Sequence, residues 1–374
     1  MTTLLKETVS PMRPVTVLGA GPAGLTAAIT LARAGWPVTV YERRAAVGQH
    51  GRGDLQGLEN WADARDALDL FREMGLAITF DTTPFTELTV LAGEAEEHRF
   101  RCDRPAFYLV RRGSTPGCLD RSLADQALAC GVTLRCGESP DPAAADIVAT
   151  GTLHRHHFAA AKGETFRTDH PDLACGLLND QAADKGYAYL LVAGGVGCLC
   201  TVFFDRFDRL AAGYEATRQR LLARFPLTMI DPVPFGGVGG FLLENVFADG
   251  GQLRIGEAAG LQDLLWGFGI KSAVASGHLA AQSLIDGTDY ASAAQARFSG
   301  RQQASLANRY LWERFAGAGY AAFLRRIRRA HDPLAWLGSF YNLNRVHRMV
   351  YPWAVAALEA RYQLYSTGIQ DQKT

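Results

Sequence analysis

The chain has 374 residues, 48% apolar and 20% charged, and its 38 Lys+Arg balance 38 Asp+Glu. This composition excludes a disordered chain, a collagenous one and a disulfide framework, and zero net charge argues against nucleic-acid binding through bulk charge. The length fits one large domain or two intimate ones with ample core.

Residues 1–19 hold no long apolar run, so no secretory signal is expected. Residues 15–18 read as a buried strand and 22–34 as an Ala/Leu/Ile-rich helix ended by Gly35, with a second strand at 38–41. Residues 61–75 read as an amphipathic helix, because Trp61, Ala64, Leu68 and Phe71 recur at helical spacing. Residues 88–91 and 98–102 flank an acidic loop and predict an exposed hairpin. A strand at 106–110, a helix at 119–130, a strand at 132–136 and a brief strand at 147–149 follow. The stretch from about 155 to 245 is Gly-rich and strand-like. A strand at 253–255, a helix at 269–286 and a mostly helical segment from 291 complete the chain. Strands alternating with helices imply a parallel sheet, and the strand-rich middle implies an inserted antiparallel layer.

Residues 186–204 run 19 positions without a charge, close to the roughly 20 of a membrane span. Gly194-Gly195 at their centre, among Val, Tyr, Phe and Cys, predicts a buried β-hairpin instead. Seven cysteines, an odd number with no CxxC pair, suit a reduced cytoplasmic compartment. Cys198 and Cys200 share one strand face, where a disulfide would be strained, so both are expected as buried thiols. His154-Arg155-His156-His157 lacks the spacing of a metal shell and reads as a surface loop, so no metal is expected. No GxSxG elbow is present, which disfavours hydrolysis.

Gly19-Ala20-Gly21-Pro22-Ala23-Gly24 carries the clearest chemistry. Gly19 permits a tight turn, Gly21 lets the backbone approach a pyrophosphate, and Gly24 lets the helix pack on the strand. The helix start supplies free N–H groups and partial positive charge. Glu42 ends the next strand, 18 residues after Gly24, where a carboxylate can take both ribose hydroxyls. The acid favours FAD or NAD over NADP.

GAGPAG followed by Tyr41-Glu42-Arg43, and then Gly256-Glu257-Ala258-Ala259-Gly260 with Gly267-Phe268-Gly269-Ile270, resembles the single-component FAD oxidoreductases. Those include aromatic hydroxylases, flavin halogenases and geranylgeranyl reductases. The resemblance implies FAD as cofactor. It places Glu257 on the ribityl chain and residues 267–270 along the isoalloxazine. The sequence departs twice from the family pattern, with Glu257 for Asp and Leu264 for a Pro, so the loop is expected to leave the family's rigid path. The segment from Phe107 to Val132 resembles the family's strand–Arg–helix unit, which makes Arg112 the better FAD-contacting arginine and Arg111 the second. A solvated Arg pair is the bland alternative.

No WxWxIP halogenase motif occurs. Tyr187, Tyr189 and Leu191 stand where geranylgeranyl reductases carry YxWxFP, and alternation puts all three on one face beside the expected flavin. Trp266 and His50 join them as candidate substrate contacts, although a solvated loop is the plainer reading of His50. The resulting expectation is an α/β chain with a Rossmann-like FAD-binding domain (10–80, 105–155 and 245–290), an inserted antiparallel-sheet substrate domain (81–104 and 156–244) and a C-terminal helical region (291–374). Its reaction would be hydride transfer to a carbon–carbon double bond of an apolar isoprenoid or natural product, as in geranylgeranyl reductases. The rivals are an NAD(P)H-dependent flavin monooxygenase and a non-enzymatic membrane-associated flavoprotein. The electron donor is open between NAD(P)H and reduced ferredoxin.

Residues 297–374 hold twelve basic residues against four acidic ones, a net +8, with 13 of the chain's aromatics. Residues 1–296 therefore carry −8. Arg and aromatics together predict peripheral contact with an anionic membrane surface or an anionic substrate group, against a plain helical cap as the alternative.

Overall fold

A computed structural model describes residues 13–93, 96–151, 158–314 and 318–370. The elements in chain order are β1 (Val15–Leu18), α1 (Pro22–Arg33), β2 (Val38–Glu42), β3 (Leu55–Glu59), α2 (Ala67–Glu73), β4 (Thr82–Phe85), β5 (Glu87–Ala92) and β6 (Glu96–Arg101). Next come β7 (Phe107–Arg111), α3 (Leu119–Ala129), β8 (Thr133–Cys136), β9 (Ile147–Val148), β10 (Ala159–Arg167), β11 (Leu173–Leu178), β12 (Tyr187–Ala193) and β13 (Val196–Phe203). The remainder are α4 (Leu210–Arg224), β14 (Ile230–Gly239), β15 (Ala248–Asp249), β16 (Gln252–Arg254), α5 (Ile270–Asp286), α6 (Tyr290–Trp312), α7 (Ala318–Arg329), α8 (Pro333–Ser339) and α9 (Arg345–Gln370).

The fold is the expected α/β one. Strands β15-β16-β9-β1-β2-β8 form the first sheet, parallel except for the β15–β16 hairpin. Val15, Val17, Val38 and Val40 point from it into a core closed by α1 and α5. The helices touch so closely that a side chain on Gly277 of α5 would collide with the Ala23 backbone. A seven-stranded sheet, β14-β10-β13-β12-β11-β5-β6, forms the second layer, and β3-β7-β4 joins the two. The uncharged run is indeed a hairpin. Leu190 faces Leu199 across it, and Gly194 and Gly195 turn at φ 56° and 79°, which a two-residue hairpin turn requires.

Three expectations are corrected. The helix predicted over 61–75 starts only at Ala67, because Asp66 Oδ1 accepts the Leu68 N–H at 2.9 Å and caps it there. Trp61 turns away instead and meets Phe268 edge to face, with centroids 4.9 Å apart. The hairpin at 87–101 is open to solvent on one face only: Glu87, Glu96, Arg99 and Arg101 are exposed, but α7 covers the other face, leaving His98 1% and Phe100 4% exposed. The strand-like middle also contains α4, which lays Gly213, Tyr214, Thr217 and Leu221 on β13 and β12. That 3.6-residue period lay in the sequence beneath the surrounding glycines. The His154–His157 cluster lies outside the described residues. Among the described residues, no three His, Cys, Asp or Glu group to hold a metal, and no helix is long and apolar enough to cross a membrane.

Candidate functional site

Where β1 passes into α1, the chain opens a cavity of about 470 Å³. Gly19, Gly21, Pro22, Ala23, Glu42, Arg43, Arg44, His50, Arg112, Glu257, Gly267, Gly269 and Ile270 are among its walls. The glycines divide their roles. Gly19 turns at φ 105° with the Ala149 carbonyl carbon 2.7 Å from where a Cβ would stand, and a Cβ on Gly24 would strike the Gly19 carbonyl oxygen. These two set the backbone. A Cβ on Gly21 would meet nothing within 4 Å, because that position opens into the cavity. The first turn of α1 has no side-chain cap, so its N–H groups remain free to take an anion. Ala20 is buried, and its N–H reaches Glu42 Oε2 at 3.2 Å; the other oxygen, Oε1, accepts the Arg44 N–H at 3.0 Å. An open Gly position, uncapped amides, an acid and an arginine together fit the diphosphate and ribose of a dinucleotide.

The arginines at the end of β7 diverge, as alternation along a strand requires. Arg111 turns outward to Asp81 at 2.5 Å. Arg112 turns inward, where the solvated reading fails. Its Nε and one terminal nitrogen donate to Asp120 at 2.8 Å each, and the other donates to Gln56 Oε1 at 3.0 Å. Asp120 is fully buried and also accepts the Gly113 N–H at 3.0 Å. Burial opposes the Asp120 charge, but the Arg112 guanidinium outweighs it and holds the carboxyl below its ordinary range. Arg112 also stands 3.2 Å from His50 Nε2. A guanidinium only donates, so Nε2 accepts and the ring proton sits on Nδ1. Desolvation against the cavity wall, then the Arg112 charge, lowers the His50 pKa, although the residue as a whole stays exposed. The structure therefore places His50 with Arg112 in this first cavity.

A second cavity of about 420 Å³ lies between the hairpin β12–β13 and helices α7 and α8. Tyr187, Tyr189 and Leu191 all line it, as do Trp61, Trp266, Phe107, Phe323 and Ile327. Burial pushes the Cys102 thiol up to about 11 and Cys175 up to about 12, and it raises Tyr187 and Tyr189 as well, so the wall carries no charge at neutral pH. Gln56, Gln262, Gly267, Gly269 and Ile270 line both cavities, so the segment 267–270 is their shared border. Phe268 faces the second cavity beside Gly57, where a Cβ would lie 2.7 Å from its ring. Gln262 makes no hydrogen bond among the described residues, and its Oε1 is closed to solvent.

The border loop is fixed by residues that the sequence did not single out. Asp263 accepts the N–H groups of Leu265 at 3.1 Å and Trp266 at 3.0 Å, and the Tyr341 hydroxyl at 2.9 Å. Its own N–H donates to the Phe268 carbonyl at 2.8 Å. Arg309 is 1% exposed and donates to the carbonyls of Leu264 at 2.8 Å, Lys185 at 2.6 Å and Leu265, with its guanidinium 3.7 Å from the Phe204 ring centroid. The Tyr187 hydroxyl donates to the Trp266 carbonyl at 2.5 Å. With Leu264 in place of Pro, the loop is held by this cage rather than by a pyrrolidine ring. Asp263 four residues before a Gly is a turn signal; Arg309, 46 residues on in a helix, gives none.

Residues 12–138 match the family described as FAD binding domain. A 35-residue stretch, 9% of the chain, is 66% identical to an Escherichia coli (strain K12) protein named as an oxidoreductase, YgfK, of which it spans 3%. The fold resembles that of a geranylgeranyl bacteriochlorophyll reductase-like protein from Thermoplasma acidophilum, with TM-score 0.66 and 16% identity over 93% of this chain and 99% of that one. It also resembles the flavin-dependent brominase Bmp2, with TM-score 0.64 and 18% identity over 95% and 99%. For 2-methyl-3-hydroxypyridine-5-carboxylic acid oxygenase the TM-score is 0.54 at 16% identity over 88% and 96%.

Proposed function

We propose that this chain, which has an FAD-binding domain and the aromatic-hydroxylase-like fold of the FAD-dependent oxidoreductase superfamily, reduces a carbon–carbon double bond of an apolar isoprenoid or natural product. When bound, FAD supplies the hydride. The chain's residues bind, orient and exclude water. Gly21, the α1 amides and Glu42 would hold the diphosphate and ribose, Arg112 the adjoining charge, and Glu257 the ribityl chain. Segment 267–270 would face the ring system, where the start of α5 favours negative charge.

The observation that carries this reading is the border. An uncharged, largely apolar cavity meets the nucleotide cavity at Gly267, Gly269 and Ile270 together with Gln56 and Gln262. Such a wall suits an apolar substrate and holds no ionised group to act as a base. Reduction of an alkene adds a hydride to one carbon and a proton to the other, the proton coming from water, a tyrosine or a cysteine. The electrons enter the protein from NAD(P)H or a reduced ferredoxin.

Product mass tests the reading. Purified protein with FAD, a reductant and a polyprenol should yield product heavier by two hydrogens. Gain of one oxygen with NAD(P)H consumption would replace reduction by monooxygenation. Protein that is colourless and cannot be reconstituted with FAD would overturn the cofactor reading too.

A further inference from the structure

Among the described residues, the C-terminal aromatics mostly turn inward. Trp312 and Tyr320 are buried, and Trp336 and Phe340 pack on Phe323 beside the second cavity. Helix α9 is the exception. His347, Val350, Ala354 and Leu358 form its buried face, against α6 and the body. Beside that face Val346, Met349 and Trp353 are 53%, 60% and 59% exposed. They recur at i, i+3 and i+7, so they make one stripe, extended by exposed Pro352 and Ala356. Arg345 and Arg348 lie on the side of the stripe away from the buried face, both exposed, and neither has a carboxylate within 4 Å among the described residues. On α7, Arg326, Arg328 and Arg329 are also exposed; Arg325 there meets Glu96 at 3.3 Å.

We propose that the outer face of α9 lies on the surface of an anionic bilayer. Val346, Met349 and Trp353 enter the boundary between headgroups and acyl chains, and Arg345 and Arg348 sit among the lipid phosphates. An amphipathic helix binds in this way through apolar area plus attraction to anionic headgroups, with Trp favoured at the boundary. Charge decides against a second copy of the chain as occupant. A two-fold pairing centred on Met349 would bring four guanidiniums together, whereas anionic lipid neutralises them. The proposal is independent of the reaction proposed above.

The test uses the full FAD-loaded chain and flotation with vesicles of phosphatidylcholine, alone or mixed with phosphatidylglycerol. Wild type should float with the mixed vesicles and sink with phosphatidylcholine. Arg345→Gln with Arg348→Gln should weaken binding to mixed vesicles about 25-fold, roughly fivefold per arginine. Met349→Ser with Trp353→Ser should weaken it about tenfold or more. Substitutions at such exposed positions leave the fold intact, which an unchanged melting temperature would verify. Failure of wild type to float, or flotation of both variants like wild type, would overturn the proposal. So would a wild-type dimer that Met349→Ser dissociates in sedimentation, which would make the face a contact between copies.

Discussion

Replacing Gly21 by Leu separates the space reserved for a ligand from the space needed by the fold. Gly21 has φ −81° and ψ 179°, extended backbone that any residue adopts, and its Cβ direction is clear to 4 Å. The apoprotein should therefore lose little. A worse N-cap costs a few tenths of a kcal/mol, offset by lower entropy of the unfolded chain, so the net change stays within about 1 kcal/mol. The added isobutyl group projects into the 470 Å³ cavity, where the diphosphate would approach the α1 amides. Loss of two or three amide–anion hydrogen bonds, each about 1.5–3 kcal/mol, predicts an FAD affinity lower by roughly a hundredfold or more. Gly19→Ala and Gly24→Ala are the controls. The first forces a Cβ against the Ala149 carbonyl at φ 105°, and the second forces one against the Gly19 carbonyl oxygen. Each should destabilise the apoprotein by about 2–4 kcal/mol. Urea unfolding of the apoproteins gives the stabilities, and quenching of FAD fluorescence gives the affinity. Stoichiometric FAD on Gly21→Leu, or an apoprotein as unstable as the two controls, would refute the assignment of this space to the cofactor.

Asp120→Asn should cost about 3–5 kcal/mol in urea unfolding, because it strands the buried Arg112 cation. The Asp120 carboxyl is held below its ordinary 3.8, so its contribution is complete above that pH and disappears as pH falls through the folded value. Acid unfolding of wild type should therefore steepen below about pH 4, and the variant should lack that component. Tyr187→Phe leaves the Trp266 carbonyl without its donor and should destabilise by about 1–3 kcal/mol while changing the emission of Trp266. Gln262→Leu removes an amide whose Oε1 has no partner among the described residues, and should leave stability within about 1 kcal/mol. It should also abolish any preference for decanol over decane measured by quenching of the cavity tryptophans; an unchanged preference would show that Gln262 does not read a polar group.

The sequence by itself determined the nucleotide half. Strand, glycine turn, uncapped helix, strand and acid are contiguous in the chain, and each glycine acts on its neighbours. It also determined the hairpin at 187–203, because two adjacent glycines admit the left-handed turn that a helix would not contain. Inward and outward alternation was legible too, so Tyr187, Tyr189 and Leu191 share a wall. Only tertiary structure decided what crosses the chain. Arg111 and Arg112 differ by one position and are chemically identical; burial beside Asp120 distinguishes them. Trp61 left its predicted helix because Phe268, two hundred residues away, offered a ring edge within an apolar wall. Arg309 buries a charge far from the loop it holds, and no local pattern records which three carbonyls will surround it. The zero net charge of the whole chain likewise hid a basic C-terminal region, and the fold turned most of its aromatics inward and left one helix face outside.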